Sequence, residues 1–135
     1  MIKEYKGFTY ITEPLFSEYA ISHLFTTIKD GDEICDFSFN TGEREKVIKA
    51  YEKVAEILGV PVSSIVKSTQ IHKDEIIEIT EAYKGMGIVR ETEIDNADGI
   101  YTLKKGIPLC IFSADCVPIL IADKYKRAVF AVHAG

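Results

Sequence analysis

One stretch of the chain repeats its apolar positions with a helical period. Val47, Tyr51, Val54, Ala55 and Leu58 fall at i, i+4, i+7, i+8 and i+11, one face of a helix over residues 43–58. Glu43 and Glu45 occupy its first turn, where the helix dipole favours anions, and Thr41 is the expected N-cap. Gly59 is the expected C′ residue, and Pro61 prevents continuation. Elsewhere the pattern is that of strands. Residues 2–12, rich in Tyr, Phe, Ile and Thr around Lys6-Gly7, predict a hairpin or two short strands. Strands follow over 23–28, before the turn cluster 29–32, and over 36–39, 65–70 and 75–80. Residues 81–97, with Gly85, Gly87, Asn96 and mixed charge, read as a long flexible connection with some helix. Asp98-Gly99 makes a turn into a strand over 100–103. Three dense apolar runs, 109–113, 117–122 and 128–132, predict strands covered on both faces. One helix among many strands indicates an α+β fold rather than a βαβ alternation.

The chain has 135 residues, enough for one domain, 1–135, with its own core. Its 47% hydrophobic and 27% charged residues exclude disorder and coiled coil. Sixteen basic against 21 acidic residues leave a net charge of -5, which disfavours nucleic acid and anionic membrane as partners. No apolar signal region opens the chain, and the longest apolar stretch, 109–122, is interrupted by Ser113, Asp115 and Pro118. Three cysteines, Cys35, Cys110 and Cys116, give neither a paired framework nor a CxxC motif. A cytoplasmic protein is expected.

Taken singly, His23, His72 and His133 each read as a satisfied structural histidine, and Cys110 as a small buried hydrophobe. Cys116 stands apart because Asp115 and Pro118 break the apolar pattern around it. Residues 123–126 suit a four-residue hairpin loop opened by Asp123. That loop places Ala122 opposite Arg127, and Cys116 opposite His133 on the same face, with Cβ atoms about 5 Å apart. A thiolate and an imidazole at that separation can share a zinc ion, with His72 the best available third ligand. The same pair could equally form a cysteine nucleophile with a histidine base.

Four motifs then occur together: Gln70-Ile71-His72, Ala97-Asp98-Gly99, Ala114-Asp115-Cys116-Val117-Pro118 and His133-Ala134-Gly135. In order and spacing the chain resembles the polyphenol oxidase, or laccase-domain, family from about His23 to Gly135. Many members of that family are read as zinc-dependent purine nucleoside phosphorylases. The resemblance implies a four-layer α/β/β/α sandwich with mixed sheets. It implies zinc ligands at His72, Cys116 and His133, with Cys116, His133 and Asp115 serving catalysis. It implies phosphorolysis of adenosine, inosine, guanosine and methylthioadenosine, with phosphate as second substrate and adenosine deamination as companion. Gln70 is expected to orient His72 or touch substrate. Copper is disfavoured, because a multicopper centre needs more than three histidines.

Two departures from the family pattern carry consequences. Where the family has Phe-Ser-Thr-Arg, this chain has Phe25-Thr26-Thr27-Ile28 followed by Lys29, a point charge in place of a bidentate guanidinium, and a candidate substrate contact. The family continues past His-Ala-Gly with Trp-Arg-Gly and about another domain-half. This chain stops at Gly135, which implies a shortened member. The strand over 128–132 is then expected to expose an open edge that self-associates or leaves His133 loosely held. Two further readings stand beside the phosphorylase: a metal-free cysteine hydrolase or deamidase using Cys116 and His133, and an inactive remnant or interaction module.

Overall fold

Lys6 and Gly7 both take left-handed backbone angles, φ 48° and 84°, as a two-residue hairpin turn requires. They join β1 (Ile2–Tyr5) to β2 (Phe8–Ile11), forming the expected N-terminal hairpin. The computed structural model describes residues 1–92, 96–125 and 127–135. The chain divides into two compact units, Met1–Pro61 and Val62–Gly135.

In the first unit, α1 (Pro14–Glu18) follows the hairpin, and β3 (Phe25–Asp30) and β4 (Glu33–Ile34) extend it into an antiparallel sheet ordered β1-β2-β3-β4. The periodic helix is α2 (Arg44–Leu58), and it buries Val47, Ala50, Tyr51 and Ala55. Gly59 ends it at φ 70°, its N–H reaching the Ala55 and Glu56 carbonyls, as the sequence requires. Thr41 is not the N-cap. Its hydroxyl donates to Asp36 Oδ2 at 2.8 Å, and Glu43 occupies the cap position. The same aspartate replaces the strand expected over 36–39. Asp36 Oδ1 accepts the Ser38 N–H at 2.8 Å, and such an Asx turn competes with extended pairing. Tyr51 pins the turn by donating its hydroxyl to the Phe37 carbonyl at 2.9 Å.

In the second unit, β5 (Val66–Lys67) pairs in parallel with β8 (Leu109–Cys110). The elements β6 (Ile76–Glu78), β7 (Gly99–Thr102), β9 (Val117–Ala122) and β10 (Val129–Ala134) form a mixed sheet in the spatial order β6-β7-β10-β9. The fold is therefore mixed α+β with three sheets. Val66, Ile79, Met86, Ile100 and Ala131 anchor the core of this unit. No helix among the described residues is long and apolar enough to cross a membrane.

Three expectations change here. The terminal strand does not present an open edge: β10 is hydrogen-bonded to β7 on one side and β9 on the other. The edge belongs to β9, whose Val117, Ile119 and Ile121 are exposed rather than covered. Pro118 fits that position. His133, opposite it, sends its own N–H to the Asp98 carbonyl on the other side, so the donor that Pro118 lacks would have pointed off the sheet edge. Last, the glycine-rich connection is tied down rather than flexible over its described part. The Gly85 N–H reaches the Ile65 carbonyl at 3.1 Å and the Lys67 N–H the Met86 carbonyl at 2.9 Å, while Met86 and Ile88 are buried. Residues 93–95 of that connection lie outside the described residues.

Candidate metal centre

His133 stands on β10 with its imidazole buried, and a buried imidazole needs partners. Asp98, one residue before β7 and 2% exposed, supplies them. Its carbonyl accepts the His133 N–H at 2.6 Å, and its Oδ1 lies 2.9 Å from His133 Nδ1. The same carboxylate accepts three consecutive backbone N–H groups, from Ile71 at 3.1 Å, His72 at 2.9 Å and Lys73 at 2.8 Å. Burial pushes the Asp98 pKa up. The Lys73 N–H, the His133 ring and the His72 and Ile71 N–H groups together outweigh burial and hold it at about 2.

His72 carries a left-handed backbone angle, φ 62°, a conformation that costs a residue with a Cβ about 1–2 kcal/mol. The Asp98 carboxylate holds the N–H of that residue and of both its neighbours, which secures the turn. Cys116 sits one residue before β9. Its turn is closed by the Ser113 hydroxyl donating to the Cys116 carbonyl. The Gln70 carboxamide acts as a substitute strand neighbour. Its Nε2 donates to the Phe112 carbonyl at 2.7 Å, and its Oε1 accepts the Phe112 N–H at 2.6 Å. Gln70 thereby ties the approach to Cys116 to the segment that carries His72.

One ligand atom from each of His72, Cys116 and His133 lies within 4.8 Å of the others. The two imidazoles meet edge to face with centroids 4.9 Å apart. His72 is exposed, Cys116 half-buried and His133 buried. A Cβ at Gly135 would stand 3.4 Å from His72 Cδ2, 3.7 Å from His133 Cε1 and 3.8 Å from Cys116 Sγ, so glycine leaves that flank of the triad bare. Two imidazoles and a thiol suit zinc, with bonds of about 2.0–2.1 Å to nitrogen and 2.3 Å to sulfur, and do not suit magnesium or calcium, which take oxygen. Three protein ligands leave a fourth position for water or substrate.

The hairpin register differs from expectation by two residues. His133 is opposite Pro118, not Cys116, and Ala122 is opposite Val129. The loop runs over residues 123–128. Asp123 accepts the Arg127 N–H and its guanidinium, and the Asp123 N–H closes on the Ala128 carbonyl at 3.0 Å. Lys126 of that loop lies outside the described residues. A shift of two keeps the facing parity, so Cys116 remains near His133 on a diagonal. Asp115 is exposed beside Cys116. Lys29 is exposed on β3 of the first unit, next to Ile28, which is 70% exposed. His23, also in the first unit, is satisfied at both ring nitrogens, with Nε2 2.7 Å from the Glu13 nitrogen and Nδ1 2.9 Å from the Ile21 carbonyl. Cys110 lies on β8, outside the triad.

From sequence, Asp98 is a turn residue, with no role for its carboxylate. The available signal was an aspartate placed directly before an apolar strand. Its depressed pKa fixes the sign of a pH effect. The unfolded carboxyl titrates near 3.9, so Asp98 contributes its full stability above about pH 4 and loses it as pH falls towards about 2. In metal-free protein, acid unfolding followed by circular dichroism is expected to begin in that window, and Asp98→Asn is expected to flatten the dependence there.

Residues 23–135 match the family model described as multi-copper polyphenol oxidoreductase laccase. A purine nucleoside phosphorylase of Bacteroides thetaiotaomicron is 33% identical over 130 residues, which covers 91% of this chain and 48% of that protein. Adenosine deaminase RL5, from an unknown prokaryotic organism, is 30% identical over 106 residues, 78% of this chain and 40% of that protein. The crystal structure of YlmD from Geobacillus stearothermophilus superposes with a TM-score of 0.85 at 27% identity, covering 98% of this chain and 51% of that one. The chain spans about half the length of the curated relatives it matches.

Proposed function

The chain belongs to the multi-copper polyphenol oxidoreductase laccase family, and from that membership we propose that it carries the zinc site of a purine nucleoside phosphorylase. The substrates in this reading are phosphate and a purine nucleoside (adenosine, inosine, guanosine or methylthioadenosine), with adenosine deamination as a companion reaction. The three sheets would form part of a four-layer α/β/β/α sandwich. The observation that carries the reading is the convergence of His72, Cys116 and His133 within 4.8 Å. The names of the relatives point the same way.

His72, Cys116 and His133 would hold the ion. When bound, zinc supplies Lewis-acid polarisation of a substrate or water oxygen. The protein's own part is positional. Gln70, with both ends of its amide committed to Phe112, sets the reach between His72 and Cys116. Asp115, exposed next to Cys116, is the candidate for a direct contact to substrate. Gly135 keeps side-chain bulk off the ligands. Zinc is favoured over a multicopper centre because the chain has three histidines and one of them, His23, has both nitrogens engaged in the first unit.

A second reading draws on a specific observation. Asp98, His133 and Cys116 stand in the order of orienting acid, base and nucleophile, as in a metal-free cysteine hydrolase. That reading leaves His72 without a task, although its left-handed backbone brings it to the same point. Elemental analysis of the purified chain, run beside an assay for phosphate-dependent release of free purine, separates the two. About one zinc per chain with purine release is the expected result. A metal-free chain alkylated by iodoacetamide at Cys116 would replace it with the hydrolase.

A further inference from the structure

We infer that Asp98 is the positioning residue of the metal site: one buried carboxylate that shapes the turn presenting His72 and selects the tautomer in which His133 offers Nε2. This rests on the metal reading above and adds to it a group that supplies no ligand atom.

A carboxylate accepts and never donates. Asp98 Oδ1 lies 2.9 Å from His133 Nδ1, so the proton of that contact belongs to the imidazole nitrogen. In neutral His133 the remaining lone pair is then on Nε2, the nitrogen available to an ion. Oδ1 also takes the His72 N–H at 2.9 Å, and Oδ2 takes the Lys73 N–H at 2.8 Å. Both oxygens are therefore occupied by donors, one set from a turn and the other from a strand. Two ligands distant in sequence are referred to a single rigid group, which the adjoining β7 holds in the sheet beside β10.

Asparagine at this position is nearly isosteric but cannot do the same work. It offers one oxygen and one NH2. If the NH2 faces Lys73, two donors oppose each other and the turn bearing His72 is pushed away. If it takes the place of Oδ1, it opposes the His72 N–H, and towards His133 it forces Nδ1 to become the acceptor with the proton moved to Nε2. Either arrangement spoils at least one ligand. Partners of metal-ligating histidines typically contribute about 10–100-fold in metal affinity.

The test has two readouts. The first is a long-range 1H–15N spectrum of metal-free protein at a pH where the spectrum shows the His133 ring uncharged, which reports its tautomer directly. An Nδ1-protonated His133 with a bare Nε2 is expected. The second is zinc affinity by competition with a chromophoric chelator, for wild type and Asp98→Asn. The expected loss in the variant is about 10–100-fold. An Nε2-protonated His133 in the wild type, or zinc affinity unchanged in a folded Asp98→Asn, overturns this inference alone. If Asp98→Asn does not fold, the wild-type tautomer decides. A wild type that takes up no zinc overturns the metal reading and this inference with it.

Discussion

Cys116→Ala is expected to empty the metal site while leaving the fold intact. Cys116 is the one sulfur donor among the three converging residues, and in the proposed site its thiolate would be the ligand that brings negative charge to the ion. Without it, zinc would be left with two imidazoles, one of them exposed. Removing a partner that merely supports a ligand costs about 10–100-fold in affinity, and removing a ligand costs more. Zinc content should therefore fall from about one ion per chain to a small fraction at the same free zinc. The fold should survive, because Cys116 is only half-buried and precedes an edge strand. Cys110→Ala, on β8 and outside the triad, is the matched control and should keep its zinc. Unchanged zinc content in Cys116→Ala, measured by elemental analysis, would sink the assignment whatever happens to activity.

Gly87→Ala should be the most damaging of the glycine substitutions, at more than about 2 kcal/mol. Its Cβ would lie 2.4 Å from the Lys67 carbonyl oxygen and 3.1 Å from the Lys67 Cβ, and the backbone there has φ 76°. The obstacle is main chain and cannot rotate away. Lys67 is part of β5 and donates its own N–H to the Met86 carbonyl, so moving it breaks the pairing that positions the turn. Gly106 isolates the backbone effect. It is also left-handed, at φ 77°, but a Cβ there meets nothing within 4 Å. Gly106→Ala should thus cost only the conformational penalty, about 1–2 kcal/mol. Urea midpoints for the two variants decide the matter. Equal midpoints would mean that the close approach of Gly87 to Lys67 is wrong.

How far the sequence could be read depended on whether the information was local. Helix α2 was legible because five apolar positions on one face and a left-handed Gly59 are local signals. The β1–β2 hairpin was legible from Lys6-Gly7 for the same reason. Helix α1 has too few residues to show a period. The three converging residues were reachable through their motifs, since Gln70-Ile71-His72 and Ala114-Asp115-Cys116 keep recognisable spacing. The hairpin register was not, because loop length hung on whether Asp123 would capture Arg127, a choice made by side chains. The exposure of β9 was invisible too. Val117, Ile119 and Ile121 are as apolar as any core strand, and only the position of β10 between β7 and β9 puts them at an edge. Asp98 was hidden by its neighbour. An Asp-Gly pair looks like a turn, and nothing local says that its carboxylate will collect three N–H groups from residues 71–73 and a ring from residue 133.

The placement of β10 between two strands also bears on how the proposed site would exchange its ion. His133 can leave its position only if β7 or β9 peels away, whereas His72 lies exposed on a turn. If the triad holds zinc as proposed, release of the ion would begin at His72 and would need no opening of the sheet. Chelator stripping should proceed at a rate insensitive to urea until the global transition is reached. Amides of Val129–Ala134 should stay protected throughout, since local opening at an exposed turn and sheet unfolding are separate events with separate free energies. His133 is fastened to Asp98 without an ion, so reloading of the proposed site would dock the exposed half onto a standing half and is expected to show no refolding lag.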